Sequence, residues 1–585
     1  DGKYLFFISN RDFNPIYSQT EWNHAYTDMS KVYFVTLAKS IPNPLKPEDD
    51  EVAVQKTDVA KTDEKKTTAE TEKPNIMKVD TSGMKDRIVV LPIDAATYSE
   101  VTAINESVYY IKRNDLDPKS SLMVFDLKEK KETKLIECND YDVSADNKKM
   151  MIVKGGGYYV TDLPKSSPEL KESVDLSNMK IWVDKKAEWK EIYNECWRQM
   201  RDFFYDPNMH GLDWKKMHDK YAVLLPYVNQ RADLTYIIGE MIGELSIGHT
   251  YVGGGDKPEV TKISTGLLGA KISKDKSGYF KIDDILKGEN WTSKGRSPLT
   301  EVGVDVKQGD FIIAVNGKSL KDYNDIYELL LNTAGKQVEL TVNSTATETD
   351  SRKVIVMPIS DESELYYYNW VQNNIKKVND ATNGQVGYIH VPDMETDGLN
   401  EFIKHFFPQL NKKAIIIDDR GNGGGNVSTM IIDRLFREIA MMGMGRNVTP
   451  NKDPEAVITG PKVCLIDNYS ASDGDLFPYR FKKLGIGKLI GKRTWGGVTG
   501  IRNSCPLMDG GFLYKPEFGH YSSEGNGWII EGHGVDPDIM VDNDPATEYS
   551  GIDEQLNMAI KTILDEMKTM KLDLPGVPTF PDKSK

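Results

Sequence analysis

Short apolar runs with period-two alternation dominate the first third of the chain. They fall at residues 4–9, 32–37, 108–112, 122–127, 150–153 and 158–163, with turn residues between them. This pattern predicts short β-strands. Asp1-Gly2-Lys3 before Tyr4-Leu5-Phe6-Phe7 echoes Ser144-Ala145-Asp146 before Met150-Met151-Ile152-Val153. The self-similarity predicts three or four propeller blades, so residues 1–177 read as a partial, all-β propeller. One stretch breaks the pattern. Residues 48–73 are rich in Lys, Glu, Asp and Thr and poor in large apolar side chains, which predicts a disordered insert. The chain opens on Asp1 inside what reads as β-structure, so a start lost from a longer protein is expected.

From residue 178 the period shifts to that of a helix. Trp189, Ile192, Tyr193, Cys196, Trp197, Met200, Phe203 and Phe204 share one face, and Tyr205-Asp206-Pro207 stops the run. A second helix is predicted over 214–221. A third follows Asp233, read as its N-cap, and ends just before Gly248-His249. Residues 178–259 are thus a mainly helical segment carrying His249. Residues 260–358 turn β-rich again. Gly266-Leu267-Leu268-Gly269, then Gly309-Asp310-Phe311-Ile312-Ile313-Ala314-Val315-Asn316-Gly317, resemble a PDZ domain. The resemblance implies that the Gly266–Gly269 loop faces a peptide's C-terminal carboxylate with its N–H groups. Residues 359–585 alternate buried-strand signals at 386–391, 414–418 and 463–467 with helices at 399–406, 427–439 and 473–483. That is the pattern of an α/β domain on a mostly parallel sheet. A last amphipathic helix is expected at 553–567.

Composition narrows the function classes. The 585 residues carry a net charge of −15, which argues against nucleic acid or an anionic membrane as the main partner. No apolar run approaches the roughly 20 residues that span a bilayer. The four cysteines, Cys138, Cys196, Cys464 and Cys505, form no CxxC pair and read as reduced, mostly buried thiols. No two of the eight histidines have HExxH spacing, so no metal site is expected, and no cofactor is called for.

Two strand–helix junctions carry candidate chemistry. Ser472, in Asn468-Tyr469-Ser470-Ala471-Ser472-Asp473-Gly474, stands where a helix begins. Backbone N–H groups and the helix dipole favour developing negative charge there, as an acyl-transfer nucleophile requires; an N-cap serine is the plainer alternative. Asp418-Asp419-Arg420-Gly421-Asn422-Gly423-Gly424-Gly425 also follows a strand. Its glycines let backbone N–H groups approach a ligand. It lacks the Lys and Ser/Thr of a phosphate-binding loop. No GxSxG surrounds Ser472, which disfavours the α/β-hydrolase elbow.

In their order these pieces resemble the tricorn protease family, related to the C-terminal processing peptidases. Propeller, helical segment ending in His, PDZ-like insert, DDRGNGGG and NYSASDGDLFP all follow that layout. The resemblance implies a serine peptidase with a crotonase/Clp-like α/β domain acting on peptides or unfolded proteins. It implies His249, Ser472 and Glu531 as general base, nucleophile and orienting acid, and an oxyanion hole from the N–H of Asp473 and of Gly424, with Gly425 next. It also implies a homo-oligomer, a hexamer by family precedent, in the cytoplasm; a periplasmic location stays open. Two positions matter, one against the family and one against its relatives. Gly248 stands where the family has the serine linking acid to base. Thr494-Trp495-Gly496-Gly497-Val498 has Gly497 where a processing peptidase of the Ser–Lys type needs its lysine. The competing reading is a non-catalytic peptide-binding scaffold.

Overall fold

The computed structural model describes residues 2–13, 15–17, 24–46, 77–115, 117–292, 295–570 and 573–584. The insert expected at 48–73 lies outside the described residues. The chain forms two compact units, Asp1–Trp182 and Val183–Lys585. The division falls five residues beyond the expected boundary at 177.

The described sheets of the first unit are all antiparallel. Tyr4–Asn10, Ser30–Thr36 and Ile88–Val90 form one sheet. Thr97–Ile104, Ser107–Asn114, Asp117–Asp126 and Lys131–Glu137 form a four-stranded meander. Asp140–Val143, Lys149–Lys154 and Gly157–Asp162 form the next. These are blade-like sheets of the expected propeller type. The predicted strands are all present. Lys131–Glu137 escaped the sequence reading because its residues are mostly charged, and only Leu135 is fully buried.

The second unit begins with helix Lys185–Phe203, capped by the Asp184 carboxylate, which accepts from the N–H of Lys186 and Ala187. Trp214–Ala222 follows, then Arg231–Gly243. Asp233 is not the N-cap of that third helix. Gln230 is, and Asp233 sits in the first turn, its carboxylate reaching back to the N–H of Gln230 in a capping box. The three helices share one core with Leu507 and Leu513, and Arg231 is paired with Asp509 in a buried contact of 2.5 Å. After them, Tyr251–Gly253 pairs antiparallel with Phe512–Phe518. This pairing carries His249 across more than 200 residues of sequence into the C-terminal domain.

The PDZ-like insert is a sheet ordered Ala270–Lys274, Phe280–Ile285, Phe311–Val315, Val338–Asn343, Arg352–Val356. Between Phe311–Val315 and Val338–Asn343 lies a short 3-10 turn, Ile326–Leu330. Helix Ser363–Ala381, missed in the sequence reading, connects the insert to the α/β domain. There, Val386–His390, Ala414–Asp418, Lys462–Ile466, Gly487–Gly491 and Ile539–Met540 form a five-stranded parallel sheet. The first two strands are buried at every position and the third at four of five, as a parallel sheet covered on both faces requires. Helices Thr396–Phe406, Ser428–Leu435, Asp473–Lys483 and Glu554–Thr569 cover it. All four cysteines are free thiols, three of them buried. Among the described residues no helix is long and apolar enough to cross a membrane, and no cluster of three or more metal-ligating side chains occurs.

Candidate active site

Open parallel sheets place ligands in the crevice beyond the carboxyl ends of their strands. Ala414–Asp418 and Lys462–Ile466 are adjacent, and the loops leaving them are laced together. Ser470 Oγ donates to the Asp419 carbonyl at 2.8 Å, and the Ala471 N–H donates to the Asn422 carbonyl at 2.9 Å. The Gly421 N–H donates to Asp467 Oδ1 at 3.0 Å. Below them, Arg420 is clamped between buried Asp418 and Asp553, so the Asp-Asp-Arg part of the loop is a structural anchor.

Ser472 immediately precedes helix Asp473–Lys483, with φ 57° and ψ −117°. This is a strained conformation outside the left-handed helical basin, costing on the order of 1–3 kcal/mol, of the kind concentrated at functional sites. The carbonyl of Ser472 accepts from the N–H of Asp475 and Leu476, and that of Ala471 from Gly474. The Asp473 N–H has no acceptor among the described residues. The Asp473 carboxylate turns away from the serine and accepts from Ser428 and Arg480, pinning two helix starts together.

The glycine run packs directly on the serine. A Cβ added to Gly424 would lie 2.6 Å from Ser472 Cβ and 2.7 Å from the Ala471 carbonyl oxygen, at φ +88°. The Gly424 N–H is engaged, donating to Asn422 Oδ1 at 2.9 Å. The Gly425 N–H has no acceptor among the described residues, and the bridge of Gly425 with Met394 uses only the neighbouring Gly424 carbonyl and Asn426 N–H. Of the two glycine amides, that of Gly425 is the unengaged one among the described residues. Gly424→Ala is expected to lower turnover by at least about 100-fold, because a Cβ 2.6 Å from Ser472 Cβ forces the serine out of position. It should also lower the melting temperature by several degrees, since φ and space are both violated. Steady-state kinetics and thermal melts check it.

His249 is 9% exposed. Its Nδ1 lies 2.8 Å from the Thr499 carbonyl. A carbonyl only accepts, so Nδ1 carries the proton and Nε2 presents its lone pair. Burial pushes the imidazole below its usual pKa, while the Thr499 bond and the Glu531 charge pull it up. The acid expected to orient it does not touch it. Glu531 Oε2 accepts from the N–H of Val498 at 2.9 Å, the N–H of Thr499 at 2.8 Å and Thr499 Oγ1 at 2.9 Å. Thr499 thus stands between Glu531 and His249, bonded to both through its own backbone. Nothing in the sequence near His249 signals this, because Thr499 lies 250 residues downstream. Ile530, just before Glu531, holds φ +69°, unusual for a β-branched side chain.

Residues 494–499 tie the parts together. The Trp495 N–H donates to the Ser470 carbonyl at 3.0 Å, and its ring meets the His249 ring edge-on at 5.9 Å between centroids. The Gly496 N–H donates to Asp475 Oδ1 at 2.7 Å. Ser472 Oγ and His249 Nε2 have no hydrogen bond to protein, to each other or elsewhere, among the described residues. Such bonds often tighten only with substrate bound.

Two buried acids lie beneath the serine. Asp419 is fully buried, neither of its carboxylate oxygens has a hydrogen bond, and burial with four neighbouring aspartates pushes its carboxyl well up. Asp475 is pushed up to about 6, chiefly by burial. A carboxyl whose folded pKa exceeds its unfolded one costs stability above the folded value, and the cost fades as pH falls toward the unfolded value. Asp475→Asn is therefore expected to gain about 2–3 kcal/mol of stability at pH 7.5 relative to its effect at pH 4. Melts of both proteins across that range read the difference.

Comparison with known proteins defines first the class. Residues 385–541 match the model of peptidase family S41. Residues 1–164 match the tricorn protease second beta propeller domain, 185–243 the tricorn protease C1 domain and 266–361 the tricorn protease PDZ domain. The chain is 33% identical to tricorn protease homolog 1 of Streptomyces coelicolor, over 99% of this chain and 55% of that protein. It is 32% identical to a putative tricorn-like protease C-terminal subunit of Sulfurisphaera tokodaii, over 97% and 64%. Its fold matches the crystal structure of the tricorn protease with a TM-score of 0.83 at 28% identity, covering 97% of this chain and 54% of that one. The chain belongs to the tricorn protease family. It spans between half and two thirds of the length of these relatives.

Proposed function

We propose that this chain hydrolyses peptide bonds through an acyl-enzyme on Ser472, with His249 as general base. The observation that carries the reading is the 494–499 segment. It is bonded at once to the serine loop through Trp495, to Glu531 through Val498 and Thr499, and to His249 through the Thr499 carbonyl. Ser472 Oγ attacks the scissile carbonyl, and Nε2 of His249 takes the proton and returns it to the leaving amine. Glu531 acts through Thr499, its charge favouring the imidazolium that forms. The Asp473 N–H, at the helix start, and the Gly425 N–H receive the oxyanion. Gly497 leaves no amine for a Ser–Lys mechanism at that position. Substrates are peptides or unfolded segments. Family precedent extends the proposal to a homo-oligomer, a hexamer in the cytoplasm, for which sedimentation velocity should give about six times the 65.9 kDa chain mass.

Cleavage of a peptide library by the parent protein, Ser472→Ala and His249→Ala tests the assignment. Cleavage by the parent alone supports it. Equal cleavage by all three overturns it.

A further inference from the structure

The carboxylate loop of the PDZ-like domain is already occupied. The Gly266 N–H donates to the Leu330 carbonyl at 2.7 Å. Leu267 exchanges two backbone hydrogen bonds with Ile359, at 2.7 and 2.9 Å. The Gly269 N–H, at φ +72°, donates to Glu362 Oε1 at 2.7 Å. No Lys or Arg pairs with Glu362 among the described residues, so the Gly269 amide holds its half-buried carboxylate.

The rest of a peptide end is imitated as well. Glu362 precedes the connecting helix Ser363–Ala381, and one turn on Leu365 is 1% exposed. A Cβ added to Gly269 would lie 3.1 Å from Leu365 Cδ1, and one added to Gly288 would lie 3.0 Å from Cδ2. A carboxylate on a loop amide beside a buried apolar side chain reproduces the chemistry of a peptide C-terminus ending in Leu.

We propose that Glu362 and Leu365 form a built-in ligand of this loop, so that an external C-terminal carboxylate reaches the Gly269 amide only by displacing Glu362. The latch is independent of the role assigned to Ser472, and it can fail or hold without touching that assignment.

The test uses the full chain carrying Ser472→Ala, so that peptides are not consumed. Two fluorescein-labelled hexapeptides ending in Leu, one a free acid and one a carboxamide, are titrated by anisotropy. Any acid preference arising in the catalytic cleft is common to both proteins, so the difference between parent and Glu362→Ala is read. Glu362→Ala should favour the acid by about tenfold or more beyond the parent's own ratio, the worth of a charge-assisted hydrogen bond. A folded Glu362→Ala whose acid-to-amide ratio equals the parent's overturns the proposal. Should Glu362→Ala not fold, the near-isosteric Glu362→Gln decides. There, hydrogen exchange in the peptide spanning 266–270 should quicken relative to the parent, and unchanged exchange overturns the proposal.

Discussion

Ser472→Ala is expected to lower kcat for peptide hydrolysis by about 10⁴- to 10⁶-fold, the range seen when the nucleophile of a serine peptidase is removed. The fold should survive the change. Ser472 Oγ makes no hydrogen bond to protein among the described residues, and Ala retains the Cβ that lies against Gly424. The strained backbone at φ 57° is imposed by the helix start and by Gly424 rather than by the hydroxyl. A melting temperature within about 2 °C of the parent is the matching expectation. Loss of activity together with loss of fold would leave the hydroxyl unassigned, so both measurements belong to the result.

His249→Ala carries the second large effect, about 10⁴-fold or more in kcat, because it removes proton transfer in both half-reactions. The parent's pH profile makes the same claim without a mutation. Burial lowers the His249 pKa, so the neutral base persists below the usual 6.5 and the acidic limb of kcat/KM should lie under that value. Glu531 raises it. Glu531→Gln should therefore move the limb to still lower pH while reducing kcat. A limb that stays in place under Glu531→Gln would disconnect the acid from the base.

Much of this architecture was legible along the chain because its elements follow single periods. The parallel strands are continuous apolar runs, and helices such as Asp473–Lys483 begin at polar turns, so their starts fell within a few residues. Helix Ser363–Ala381 was missed because its buried face holds only Leu365, Val371, Asn374 and Val378 amid polar and aromatic positions. Asp233 was misplaced because a first-turn carboxylate and an N-cap look alike in sequence; only the hydrogen bond back to Gln230 separates them. At the candidate site, Ser472, His249, Glu531 and the glycine run were visible through their resemblance to a known layout. Thr499 was not, since it acts chiefly through a backbone carbonyl and N–H that any residue type offers. The engaged amide of Gly424 depends likewise on the rotamer of Asn422, which no spacing encodes.

The most direct check on the nucleophile is to treat the active protein with a fluorophosphonate and map the adduct by mass spectrometry. One adduct per chain, on the peptide containing Ser472 and absent from Ser472→Ala, is the result expected. An adduct on another serine, with hydrolysis lost in step with it, would contradict the assignment and move the chemistry elsewhere in the fold.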